Sequence, residues 1–134
     1  MLAIALGLGM FLAFKKQWLP LAAVAISQAP FWIGSILSFQ SGITPVGTNM
    51  VTDLSVSALF IFLAYRYEFM WLIWLSIVYV CAGILDVYSL VFGLSFYLEA
   101  HEVLHYAALI IIGGRKYVAR IDRPLSDLDL VEEN

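Results

Sequence analysis

All seven Lys and Arg residues of this 134-residue chain fall in three places. Charged side chains are costly in hydrocarbon, and basic ones are retained on the cytoplasmic side of a membrane. The sequence between the three places is almost uniformly apolar, which indicates a chain that crosses a bilayer repeatedly and returns each basic group to one side. The three places are Lys15-Lys16, Arg66, and the group Arg115, Lys116, Arg120 and Arg123.

The composition excludes an ordinary soluble domain. Hydrophobic residues make up 63% of the chain and charged residues 13%, against about 25% charged residues in a typical soluble domain. So few charges cannot cover the surface of a soluble core, whereas a lipid bilayer needs no such cover. The net charge of −3 and the absence of a basic groove argue against a nucleic-acid partner. The expected partners are the lipid bilayer and either further copies of the chain or another membrane protein.

The apolar runs predict an all-α integral membrane bundle of five transmembrane helices, or four if the short first run does not span. Residues 1–114 form the predicted transmembrane domain, and residues 115–134 form a basic juxtamembrane segment followed by an acidic cytoplasmic tail. Residues 40–49 combine Gly, Pro, Thr and Asn, which is turn chemistry, so they are predicted to be the longest external loop. The five predicted spans cover residues 1–17, 18–39, 50–65, 69–85 and 92–112.

Five spans with an external N-terminus place every basic group on the cytoplasmic side. The predicted location is therefore a multi-pass membrane protein with an external N-terminus and a cytoplasmic C-terminus. Gly113-Gly114 is a natural helix stop before the last basic group.

One short motif can carry chemistry, His101-Glu102-Val103-Leu104-His105. It is similar to the H-E-x-x-H motif of zincin metalloproteases and of membrane-embedded site-2 proteases. That resemblance implies zinc held by His101 and His105 and a water activated by Glu102. It covers five residues, and Asp86 precedes the histidines, whereas site-2 proteases carry their aspartate motif in a later span.

Counting excludes two other metal sites. Two histidines are too few for the di-iron site of membrane desaturases, and a single Glu-x-x-His is half of what a di-iron bundle needs. Two histidines on one helical face cannot lie on opposite faces of one haem. A divalent cation held by His101, Glu102 and His105, completed by Asp86 or Glu99, is the metal site that the sequence predicts, and no other cofactor is indicated.

The predicted topology also places several titratable groups in the external leaflet with no Lys or Arg beside them. Ionisable groups at membrane depth are commonly cation or proton sites. The structural alternative is that Asp53 caps the third helix while Asp86 and Glu99 flank a short turn. The groups concerned are Asp53, Asp86, Glu99, His101, Glu102 and His105.

The sequence favours a non-enzymatic role: a small membrane subunit that assembles with copies of itself or with partners, a class that includes holin-like pore formers. Small residues in the first two spans, among them Ala3, Gly7 and Gly34, suit close contact between helices. The alternatives are a cation or proton carrier that uses the external acid and histidine cluster, and a metal-dependent membrane enzyme centred on His101, Glu102 and His105.

Overall fold

The computed structural model describes residues 2–42, 45–93 and 95–115, and these residues form a helical bundle. The prediction of an all-α chain is confirmed for this part of the protein. The predicted tail, apart from Arg115, lies outside the described residues. The helices are α1 (Leu2–Phe14), α2 (Trp18–Ser41), α3 (Pro45–Tyr67), α4 (Met70–Phe92) and α5 (Tyr97–Gly114).

Three of these helices are long and apolar enough to cross a membrane, within Trp18–Ile36, Val46–Tyr67 and Met70–Phe92. Only 28–33% of each apolar window is buried inside the bundle, so most of its side chains face outward, as they do in lipid. The other two helices are less suited to spanning. With 13 residues α1 reaches about 20 Å, short of a hydrocarbon core of about 30 Å, and α5 carries Glu99 and Glu102.

The predicted external loop is mostly helix. α2 continues to Ser41 and α3 begins at Pro45, so the prediction of a loop over residues 40–49 is wrong. Gly42 ends α2 in the left-handed conformation (φ +67°), and Pro45 occupies the first position of α3, where a missing N–H costs nothing. Asp53 therefore lies in the third turn of α3, not at its N-cap.

The end of α4 also differs from the prediction. The helix runs to Phe92 and not to residue 85, so Asp86 lies within α4 and does not flank a turn. Gly93, at φ +66°, follows the end of the helix, and α5 begins at Tyr97 and not at residue 92.

The helices close into a ring. α3 and α4 pack as an extensive hairpin, α2 packs on α3, and α5 packs on α4 and returns to α2. α1 lies against α2, with Leu8 beside Gly113 of α5. All basic side chains that the structure describes lie at one end of this bundle, the basic end; the opposite end is called the acidic end.

The half of the bundle toward the basic end has an apolar core. At the end itself, the buried Arg115 guanidinium donates to the Ile112 carbonyl and to Gln17 Oε1, and it lies 5.8 Å from the centre of the Trp71 ring. Arg115 thereby connects the end of α5 to the segment between α1 and α2. Fully buried apolar side chains of this core are Leu12, Phe60, Trp71, Leu72, Leu75 and Ile112.

Candidate metal centre

The half of the bundle toward the acidic end has a polar core. It contains Asp53 from α3, Asp86 from α4, and His101 and His105 from α5, all buried. At 1.5 Å per residue, these positions lie about 6 to 12 Å from the nearest ends of their helices, so three helices deliver them to one level. The i, i+4 spacing of the histidines puts both rings on the inner face of α5.

His101 lies between the two carboxylates. Its Nε2 is 2.8 Å from Asp53 Oδ2 and 3.5 Å from Asp86 Oδ1. Two buried carboxylates face at most one positive charge from this imidazole, and a buried charge without a partner is strongly unfavourable. The cluster is therefore complete only with a further cation or proton.

A hydrogen-bond chain fixes the second carboxylate. The Tyr97 hydroxyl donates to Asp86 Oδ1 at 2.6 Å and accepts from Asn49 Nδ2 at 3.2 Å. Asn49 lies one turn before Asp53 on α3, so the chain joins α3, α5 and α4 across the cluster. The short O–H···O contact is typical of a hydroxyl that donates to a carboxylate.

Three atoms of the cluster retain unused bonding capacity. Asp53 Oδ1, Asp86 Oδ2 and His105 Nδ1 are buried and have no hydrogen-bond partner among the described residues. Leaving one such atom unsatisfied costs about 1–3 kcal/mol, and any bound group that contacted these three atoms would relieve that cost.

The arrangement matches a metal centre of two histidines and one carboxylate. Asp53, His101 and His105 each offer one ligand atom, and these atoms lie within 4.8 Å of one another. Around a tetrahedral ion with bonds of about 2.0–2.2 Å, ligand atoms are about 3.4 Å apart, so the widest pair would close by about 1.4 Å on binding. His101 and Asp53 are already in contact, so this movement falls to the side chain of His105.

The structure brings together three of the five residues predicted to bind metal. His101, His105 and Asp86 lie in the cluster, whereas Glu99 and Glu102 are exposed on the outer part of α5. Because a helix turns 100° per residue, Glu102 cannot share the inward direction of His101, and Glu99 points almost opposite to it. The metal prediction itself remains a prediction.

Asp53 was absent from the predicted ligand set. The available signal was helical spacing, because the polar residues Asn49, Asp53 and Ser57 repeat every four positions along α3. The third helix was predicted to begin at Met50. Asp53 then resembled a capping residue, and the repeat was not recognised.

A cavity of about 480 Å³, the side cavity, lies next to the cluster between α2 and α5. His101 and His105 line it, so the cluster is reached from this space. Its other polar lining residues are Gln28, Ser35, Asn49, Tyr97 and Glu102.

Polar contacts become sparse from the cluster toward the basic end. The hydroxyls of Ser57 and Ser76 lie 2.9 Å apart, and Tyr79 donates to the Ser27 carbonyl at 2.9 Å. Beyond these two contacts lies the apolar core described above.

No family model, curated protein or solved structure matches this chain. The donors of the cluster are imidazole nitrogen and carboxylate oxygen. Cys81 is exposed on α4 and does not belong to the cluster. Such a donor set is typical of Zn²⁺ and non-haem Fe²⁺ centres.

Proposed function

We propose that this chain is a multi-pass membrane protein that binds one divalent transition-metal ion, Zn²⁺ or Fe²⁺, through Asp53, His101 and His105. The observation that carries the proposal is the convergence of three ligand atoms within 4.8 Å, one from Asp53 on α3 and two from His101 and His105 on α5. Asp53 Oδ1 and His105 Nδ1 are free to bind, and the ion would replace the contact between His101 and Asp53.

Charge balance supports a divalent ion. With neutral imidazoles, the two positive charges of the ion equal the two negative charges of Asp53 and Asp86. A neutral cluster is the arrangement least penalised in a low-dielectric interior. Asp86, held by Tyr97 and lying 3.5 Å from His101 Nε2, would lie close enough to balance the charge of the ion without being one of its three ligands.

A proton or cation carrier is less well supported. The His105 ring packs against the Tyr79 ring with 5.8 Å between the centroids, so the cluster reaches Tyr79, but the core beyond Ser57 and Ser76 is apolar. The described residues thus offer no continuous polar path from the cluster to the basic end.

The sidedness of the bundle is part of the proposal. We place the basic end in the cytoplasm, the acidic end and the metal centre toward the external face, and all five helices across the bilayer. Cysteine labelling from outside intact cells, in a Cys81→Ala background, should modify Thr44→Cys and spare Ser126→Cys. Labelling of position 126 alone would contradict this orientation.

Assembly remains the second component of the proposal, as an oligomer or as an accessory subunit of another membrane protein. A Cβ added at Gly7 of α1 would meet no atom within 4 Å, so this small-residue surface is open to a neighbouring helix. Gly34 is different, because it already contacts α3 within the same chain.

Metal analysis of protein purified in mild detergent without chelators tests the function. We expect about one equivalent of zinc or iron per chain, and loss of the ion in His105→Gln and in Asp53→Asn. Glu99→Gln, which removes an exposed acid from the same helix, is the matched control and should retain the ion. A parent protein that binds neither ion after reconstitution, or stoichiometry unchanged in both ligand variants, would reject the proposal.

A further inference from the structure

The side cavity opens sideways from the bundle. Phe31 and Ser35 of α2 form one edge of the mouth and Leu98 and Glu102 of α5 the other, and all four are exposed. Leu2, the first residue of α1, lies at the same opening. A volume of about 480 Å³ lies within the range of about 300–1,000 Å³ of small-molecule sites. In a membrane this mouth faces lipid.

The charge around the cavity disfavours an anion. None of the described residues that line it is Lys or Arg. Glu102 is at the rim, and Asp53 and Asp86 lie behind His101. A carboxylate or phosphate group in this space would face acidic side chains without a basic partner, which costs free energy in a low-dielectric site.

One buried hydrogen-bond donor of the lining lacks a partner within the part of the chain that the structure describes, and it requires an acceptor. Gln28 Nε2 is buried and has no partner among the described residues. The Tyr97 hydroxyl already donates and accepts, and the Ser35 hydroxyl donates to the Phe31 carbonyl at 2.7 Å. An ammonium head has only donors and cannot accept from the Gln28 amide, whereas a hydroxyl or carbonyl oxygen can.

We infer that the side cavity binds a neutral amphipathic molecule from the bilayer, whose head carries a hydroxyl or carbonyl oxygen that accepts a hydrogen bond from Gln28. The apolar part of this molecule lies against Phe31 and Leu98 at the mouth. The head lies in a space that His101 and His105 also line, next to the metal centre. The inference depends on the cavity and does not require the ion.

Photo-crosslinking in lipid nanodiscs, with chelator-treated protein, tests the inference separately from the metal. The probe is a medium-chain alcohol with an alkyl diazirine, compared with the alkane, carboxylate and ammonium of the same chain. We expect the alcohol to label the segments that contain Phe31 and Leu98 about tenfold more than the carboxylate does.

Two serines in the same local environment provide the matched variants. Ser35→Leu fills the mouth and should reduce alcohol labelling about tenfold. Ser55→Leu is the control, because Ser55 is exposed on α3, also donates to the carbonyl four residues earlier, and does not line the cavity. It should label like the parent protein.

Gln28→Leu, checked for folding by its melting temperature, should label equally with alcohol and alkane. Labelling spread evenly over the lipid-facing helices, or unaffected by Ser35→Leu, would overturn the site. Preference for the carboxylate or ammonium probe, or an alcohol preference that survives Gln28→Leu, would overturn the proposed head group.

Discussion

His101 is the residue that the other groups of the cluster surround. Its ring lies between Asp53 and Asp86, and its centroid is 4.8 Å from that of His105 and 5.4 Å from that of Tyr97. A buried imidazole held in this way by carboxylates and neighbouring rings has little freedom to turn. A ligand that is already oriented loses less entropy when it binds an ion.

Tyr97→Phe should destabilise the protein by about 1–3 kcal/mol, because Asp86 loses its donor and Asn49 its acceptor inside the bundle. Tyr88→Phe is the control, since Tyr88 is exposed on α4 and stacks on Phe92 by its ring alone. Thermal melting in one detergent compares them. Equal melting temperatures would show that the hydrogen-bond chain contributes nothing to stability.

The sequence identified part of the cluster and missed the rest for a physical reason. His101 and His105 lie on one helix, so their spacing alone predicts a shared face. Asp53 comes from another helix. Whether it appears as a cap or as an inward-facing residue depends on where α3 begins, and the turn-forming residues before it concealed that start. Asp86 was predicted to join the histidines because the end of α4 and the start of α5 are adjacent in the topology, but its 3.5 Å contact with His101 is tertiary, and periodicity within one helix contains no information about it.

α2 and α3 approach each other closely at Gly34. A Cβ there would lie 2.6 Å from Asn49 Oδ1, and the Thr48 hydroxyl donates to the Gly34 carbonyl at 3.3 Å. Asn49 in turn donates to Tyr97. The contact between α2 and α3 thus positions the Asn49 amide, which donates to Tyr97 in the hydrogen-bond chain of the cluster.

Gly34→Ala should therefore displace Asn49 and destabilise the protein by about 1–3 kcal/mol, the usual cost of overpacking. Gly7→Ala is the control: it meets no atom within 4 Å and should stabilise α1 by up to about 1 kcal/mol, the gain expected when alanine replaces glycine in a helix. Chemical denaturation in detergent measures both. A Gly34→Ala variant as stable as Gly7→Ala would contradict the close contact.

Helix number was easier to predict than helix ends. Long apolar runs separated by charges and glycines identify five helices, because burial and lipid exposure both select apolar residues. Gly42 is the first residue after α2, and Pro45 is the first residue of α3. In the sequence, both resemble parts of a loop. That ambiguity produced the wrong boundaries near residues 40–49. Near residues 85–97, Asp86 was taken to end a helix that runs to Phe92.

For the whole molecule, the main feature is the apolar character of the outward helix faces. Large apolar side chains are exposed on every helix, which suits lipid or neighbouring subunits. α1 has the fewest neighbours within the chain, and its open small-residue surface around Gly7 is the region where we expect a second copy or a partner helix.

Gly7→Leu should therefore shift oligomers toward monomer while leaving the melting temperature of the monomer unchanged, because Gly7 contacts no other helix in the chain. Mass photometry in nanodiscs compares it with Gly113→Leu, which would disturb the contact with Leu8 inside the chain. A parent protein that is monomeric throughout would reject assembly, and oligomers that persist in Gly7→Leu would reject the α1 interface.

X-ray absorption at the zinc edge tests the central claim most directly, since it reports the atoms bound to the ion. For protein loaded with one equivalent of Zn²⁺, we predict only nitrogen and oxygen ligands at about 2.0–2.2 Å, with outer-shell scattering from two imidazoles. His105→Gln, loaded and freed of unbound metal in the same way, should retain no zinc and give no such spectrum. A sulfur ligand or a spectrum without imidazole scattering would contradict a metal centre at Asp53, His101 and His105. So would a His105→Gln spectrum identical to that of the parent protein.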